Sequence, residues 1–138
     1  MTLEIFNLSI TWFLLGLVWI VQIVHYPTFS RIGENRFKGF HYFHTKSITW
    51  IVAPMMTIEL ILAVVLYWKT GLSMDYLFPL LLVIGIWLST ILIQIPLHSK
   101  LGVAYDLDVI EKLVSTNWIR TSLWTLKGSW LVWLFVRF

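Results

Sequence analysis

Four stretches of this chain, over about residues 5–26, 48–68, 77–97 and 119–138, are apolar almost throughout. Each is close to the roughly 20 residues that a helix needs to cross a bilayer. Lipid satisfies no backbone polar group, so such stretches must be helices rather than open strands. The pattern predicts an all-α fold: an integral membrane four-helix bundle that occupies residues 1–138 as one domain. The opening "MTLEIF" lacks the basic residues of a signal peptide, and the apolar run behind it is too long for one, so the first stretch reads as a true span.

The connections differ in length. Spans two and three are joined by the short "KTGLSMDY", whereas the other two loops, about residues 27–47 and 98–118, are much longer. Both long loops carry apolar residues at helical spacing: Phe37, Phe40 and Phe43 in the first, Leu107, Ile110 and Leu113 in the second. Asp106 or Asp108 is placed to cap the second of these. The loops are therefore expected to hold helical extensions lying at the membrane interface. Arg31, Arg36, Lys38 and Lys46 in loop one, with Lys100 and Lys112 in loop three, outnumber the lone Lys69 of loop two. By the positive-inside rule the two long loops face the cytoplasm and both termini face out, as in a bacterial inner-membrane protein.

Composition agrees with the pattern. The chain is 59% hydrophobic and 12% charged, against about 45–50% and about 25% in soluble domains, and its mean hydropathy is +0.82. Nine tryptophans suit a protein with membrane interfaces. With no cysteine, disulfides, thiolate metal sites and thiol nucleophiles are excluded. A formal charge of +3 without a basic run gives no reason to expect nucleic acid. The bilayer is the implied partner, with a homo-oligomer or a larger membrane complex as further partners.

The few polar residues in the spans are ordered. At 3.6 residues per turn, Asn7, Thr11, Gln22 and His25 share one side of span one. If the second helix extends back through the loop, His41 and Glu59 align on it and His44 lies nearby. Thr90, Gln94 and His98 follow at i, i+4, i+8 on span three, and Asn117, Thr121, Trp124 and Gly128 form a stripe on span four with Arg120 beside it. All four histidines then lie near one membrane face, with Glu59 about 15 Å deeper. Intramembrane polar residues are costly and turn toward a bundle interior, which makes them site candidates. Glu59 must be neutral, metal-bound or paired, with Lys127 or Arg120 as its partner.

Imidazole and carboxylate without sulfur suit iron, copper or zinc, with His25, His41, His44, His98 and Glu59 as the candidate ligands. Haem is the other candidate cofactor: His25 and His98 would approach it as axial ligands, near Gln22 and Gln94. Glu59 or a histidine, together with Arg120 and Asn117, could instead abstract a proton from a lipophilic or quinone-like small molecule and hold its oxygen. There is also a faint internal repeat: "IVQIVHYP" and "ILIQIPLH" close spans one and three, while "HTKSITW" and "WIRTSLW" open spans two and four.

The segments "VQIVHYP", "HYFH", "PMMTIEL", "IPLHSKL" and "NWIRTSLW" together resemble the anthrone-oxygenase-like superfamily of small four-helix membrane proteins and uncharacterised bacterial relatives. Gln22, His25, Pro27, His41, His44, Pro54, Met56, Glu59, Leu60, Pro96, His98, Asn117, Trp118, Arg120 and Thr121 carry the resemblance. The named family more often has Asn where this chain has His98, and the loop-one histidines lie outside its usual pattern. The resemblance implies a four-helix membrane fold and oxidation of a hydrophobic substrate. Three readings follow: a membrane oxidoreductase with a His/Glu-lined metal or haem site near one face; a haem- or pigment-binding electron-transfer subunit of a larger complex; and a non-enzymatic structural or proton-conducting bundle.

Overall fold

A computed structural model of the chain describes residues 2–137. Phe138, the last residue of the expected fourth span, lies outside them. The described residues form four long helical rods and no strand: α1 (Thr2–Arg31), α2 (Glu34–Lys69), α3 (Met74–Val103) and α4 (Leu107–Arg137). The rods close into a ring in which α1 packs on α2 and α4, and α3 packs on α2 and α4. The fold is the all-α bundle that the apolar pattern predicts.

The expected helical extensions are continuous with the spans. The Phe37–Phe43 stretch and the second span are one helix of 36 residues, which runs through Pro54. Asp106, rather than Asp108, caps α4: its Oδ1 accepts the Val109 N–H at 3.2 Å. Ser73 caps α3 in the same way, accepting from the Asp75 N–H at 3.3 Å. The tight turn before it places Gly71 and Leu72 at φ 68° and 63°. Glycine takes that conformation freely and leucine does not.

Helices α1, α2 and α3 are long and apolar enough to cross a membrane. Helix α4 carries Arg120 and Lys127 within its expected span, and both are turned into the bundle, 8% and 0% exposed. The outer surface is apolar, with Trp12, Ile20, Val24, Ile61, Leu92 and Phe135 all exposed. Trp50 and Trp68, each 77% exposed, lie on one face of α2 about 27 Å apart at 1.5 Å per residue. That spacing is close to the ~30 Å hydrocarbon thickness of a bilayer.

Neither α1 nor α3 is a regular α-helix throughout. Each contains a five-residue π turn, Val21–His25 in α1 and Thr90–Gln94 in α3. Both end two residues before a proline, Pro27 and Pro96. In each the wide turn is closed by a bond five residues back, Tyr26 N–H to Val21 O and Ile95 N–H to Thr90 O. A proline in a helix collides with the carbonyl four residues earlier, and the widened turn makes room for the ring. The sequence repeat thus marks a structural repeat, and both π turns carry a buried glutamine, Gln22 and Gln94.

Candidate functional site

The four histidines come together at one end of the bundle. His25 arrives from the π turn of α1, His41 and His44 from successive turns of α2, and His98 from α3. They associate in pairs: His25 Nε2 lies 2.6 Å from His44 Nδ1, and His41 Nε2 lies 3.0 Å from His98 Nδ1. His98 Nε2 is met at 3.0 Å by the hydroxyl of Tyr26. Phe29, fully buried, packs among all four rings with centroid distances of 5.5, 6.0, 5.2 and 6.4 Å to His25, His41, His44 and His98. In each pair one ring nitrogen donates and the other accepts, which fixes complementary tautomers. The pairing engages each ring with another ring. Among the described residues, no three His, Asp or Glu side chains converge on a point that could hold a metal ion.

Glu59 is not part of this cluster. It sits on α2 midway between Trp50 and Trp68, and its carboxylate is fully bonded elsewhere. Oε1 accepts from Lys127 Nζ at 2.6 Å and from the Thr11 hydroxyl at 2.9 Å. Oε2 accepts from the Trp124 indole N–H at 3.1 Å. Lys127 also donates to Thr11 at 2.6 Å and to Asn7 Oδ1 at 3.4 Å. Of the partners foreseen for Glu59, Lys127 is the one it has. The expected ligand set of His25, His41, His44, His98 and Glu59 is therefore divided, with the imidazoles at the rim and the acid in an ion pair at mid-depth.

The two glutamines and Asn117 cross-link helices just below the histidines. Gln22 Nε2 donates to the Val114 carbonyl at 3.0 Å, and its Oε1 accepts from Asn117 Nδ2 at 2.9 Å and Thr121 at 3.4 Å. Gln94 Nε2 donates to Thr116 at 3.1 Å. These bonds tie both π turns to the same stretch of α4. They leave Gln22 and Asn117 facing each other rather than an open space.

Between the histidines and the ion pair lies a cavity of about 200 Å³. Its walls are mainly apolar: Leu14, Val18 and Val21 of α1, Val52 and Met56 of α2, and Trp124 of α4. Its polar lining comes from Tyr26, His44, Thr90, Gln94, His98 and Arg120. Thr49, Ala53 and Ile95 also line it, and all three are exposed on the outside of the bundle. The cavity thus opens sideways between α2 and α3, at the level of Trp50.

Several polar atoms on this wall lack partners. His44 Nε2, Gln94 Oε1, Arg120 Nε and Trp87 Nε1 are buried without a hydrogen bond, and all four residues line this one cavity. Buried polar groups are nearly always bonded in folded proteins, so four residues with an unbonded polar atom on the lining of one cavity single it out. Arg120 stacks over Trp124 at 5.2 Å and lies against Tyr26.

Sequence reasoning brought His44, His98, Gln94 and Arg120 to the site. It did not foresee Tyr26, Phe29 or Trp87. Tyr26 stands between His25 and Pro27 in the motif, and only the π turn rotates it inward, to 4% exposure. Trp87 follows Thr90, Gln94 and His98 backward at helical spacing, a signal hidden by the presence of eight other tryptophans. Compared with known protein families, curated proteins and solved structures, the chain has no match.

Proposed function

We propose that this chain is a small integral membrane protein that admits a hydrophobic molecule from the bilayer into the cavity between α2 and α3 and exchanges a proton with it at His44. One observation carries this reading: an apolar, laterally open cavity lined by His44, Gln94, Arg120 and Trp87, each of which has a buried polar atom without a hydrogen bond. Apolar pockets with a few convergent polar groups are where small molecules bind.

The roles follow from chemistry. Arg120 holds an oxygen and stabilises negative charge on it. His44 lines the cavity and its Nε2 has no hydrogen-bond partner, while its other nitrogen is bonded to His25. When His25 donates in that bond, His44 Nε2 carries a proton to give; in the opposite tautomer it accepts one. His25 is the less buried ring, so the pair connects the cavity to the rim. The resemblance to the anthrone-oxygenase-like superfamily points to oxidation of a hydrophobic substrate, and proton exchange is the part of such a reaction that these side chains can carry. Because the imidazoles hold one another in pairs, this reading uses them in proton exchange and not as ligands of a metal or haem. An inner-membrane location with both termini outside belongs to the same reading and rests on the Lys and Arg count of the loops.

The test is saturable quenching of tryptophan fluorescence by a neutral brominated decyl alcohol, with the protein in nanodiscs. Trp87 and Trp124 line the cavity. Saturable quenching that weakens in Ala53→Leu, which narrows the mouth, is the expected result. Quenching that rises linearly with probe and ignores Ala53→Leu would mean contact from bulk lipid only.

A further inference from the structure

Arg120 is a buried cation without an anion. Its side chain is 8% exposed, and no ion pair among the described residues includes it: the two present are Glu59–Lys127 and Asp75–Arg137. Its neighbours include Tyr26, His98 and Trp124, none of them a carboxylate, and its Nε has no acceptor. Contrast Lys127, also buried on the same helix, which has a carboxylate at 2.6 Å. Burying an uncompensated charge is expensive, more so at membrane depth. The bundle answers that demand at Lys127 and leaves it open at Arg120, on the wall of the cavity.

We propose that the counter-ion is the ligand itself, a single-chain amphiphile with a carboxylate head, bound with its head at Arg120 and its tail passing out between Thr49, Ala53 and Ile95 into the bilayer. This rests on the reading of the cavity as a binding site entered from the membrane and adds to it the class of ligand. Three features select a carboxylate. A guanidinium presents parallel N–H groups that match the two oxygens of a carboxylate. A carboxyl group is ionised at neutral pH without assistance, whereas a phenol, with an ordinary value near 10, is not. A single cation balances the one negative charge of a carboxylate, whereas a phosphate monoester carries up to two.

Size supports the pose. A cavity of about 150 Å³ holds a benzene molecule, so about 200 Å³ holds a carboxylate and a short run of methylenes. A longer chain has to leave through the open side, where exposed Ile95 and Ala53 already face lipid. His44 Nε2, when it carries its proton, donates to the second carboxylate oxygen. Gln94 Oε1, an acceptor, takes a water bridging to the head.

The experiment uses the full chain in nanodiscs at pH 8 and four brominated ten-carbon probes that differ only in the head: carboxylic acid, alcohol, primary amine and phenol. Quenching of tryptophan fluorescence gives the affinity of each. The acid is expected to bind at least tenfold more tightly than the alcohol and the phenol, with the amine weakest. Arg120→Met is expected to erase the preference of acid over alcohol, with an unchanged circular-dichroism spectrum and denaturation midpoint showing that the variant is folded. Arg120→Lys, which keeps the charge but not the fork, is expected to retain part of it. An acid that binds no better than the alcohol, or a preference that survives Arg120→Met, overturns the carboxylate and leaves the cavity reading standing. Tightest binding by the phenol overturns it in favour of a phenolate head. If no probe quenches saturably, the cavity reading fails and the carboxylate with it.

Discussion

Glu59 Oε1 and Lys127 Nζ meet at 2.6 Å at mid-depth of the bundle, and neither side chain reaches the surface. The pair joins α2 to α4, and through Thr11 and Asn7 it also holds α1. Breaking a buried pair leaves one charge uncompensated and costs about 3–5 kcal/mol, whereas removing both partners costs much less. Glu59→Leu and Lys127→Met alone are therefore expected to lower stability strongly, and the double variant to recover at least ~2 kcal/mol of the summed loss. Chemical denaturation of the four proteins in detergent measures the cycle. Additive losses would show that the two side chains act separately.

Gln22 and Asn117 form a second cross-link, nearer the histidines, with the Val114 carbonyl as third member. Hydrogen bonds between membrane helices average about 0.6 kcal/mol and reach about 1.7. Gln22→Leu removes one donor and one acceptor from buried partners, and we expect a loss of about 1–2 kcal/mol that Asn117→Leu in addition barely increases. Denaturation midpoints test this. A second loss as large as the first would mean that the two residues are not coupled.

The approach of α1 to α4 is set by Gly128. A Cβ there would meet Leu15 Cδ2 at 3.0 Å, a contact that a small leucine adjustment relieves. Gly128→Ala is expected to be near neutral, since the better helix propensity of alanine, worth about 0.8–1.0 kcal/mol, offsets the crowding. Gly128→Val adds branched volume at the closest point and is expected to cost about 1–3 kcal/mol. Comparative thermal melts decide it, and a Val variant as stable as wild type would contradict the close packing.

His25 and His44 provide a prediction about cofactors. With their nitrogens 2.6 Å apart, the rings share a hydrogen bond, and a metal–imidazole bond of about 2.0–2.1 Å to each would require them to separate. Purified protein is expected to contain less than one equivalent of iron, copper or zinc and to show no Soret band. Nitrogen-15 spectra of labelled histidine are expected to show N–H···N pairs. One equivalent of metal, or a Soret band lost in His25→Ala, would return the histidines to the ligand role that the sequence suggests.

How much of this was legible beforehand differs by scale. Bundle, helix count and inward-facing polar seams follow from hydropathy and a 3.6-residue period, because lipid leaves a polar side chain few other places to go. Asn7, Thr11, Gln22, Glu59, Gln94, Asn117 and Thr121 are indeed buried. Partner choice was legible only in part: Lys127 stood among the two partners expected for Glu59, but alignment on a helix gives direction and not distance, and the pairing of the histidines with one another was not foreseen. Glu59 and His44 lie on the same helix, yet the acid finds Lys127 and the imidazole finds His25. The π turns defeat any fixed period as well: one extra residue per turn rotates everything beyond it, which is how Tyr26 comes to face His98. The two prolines hinted at these irregularities without specifying their form.

Entry of a hydrophobic molecule between α2 and α3 is the step on which the proposed function depends. It is tested most directly by photolabelling the protein in nanodiscs with a small uncharged aryl diazirine and mapping the adducts by mass spectrometry. Adducts are expected at buried Met56 and Trp124 in addition to the outward surface, displaced by the brominated decanoic acid and reduced in Ala53→Leu. Labelling confined to outward residues such as Trp12, Ile61 and Leu92, unaffected by competitor, would contradict it.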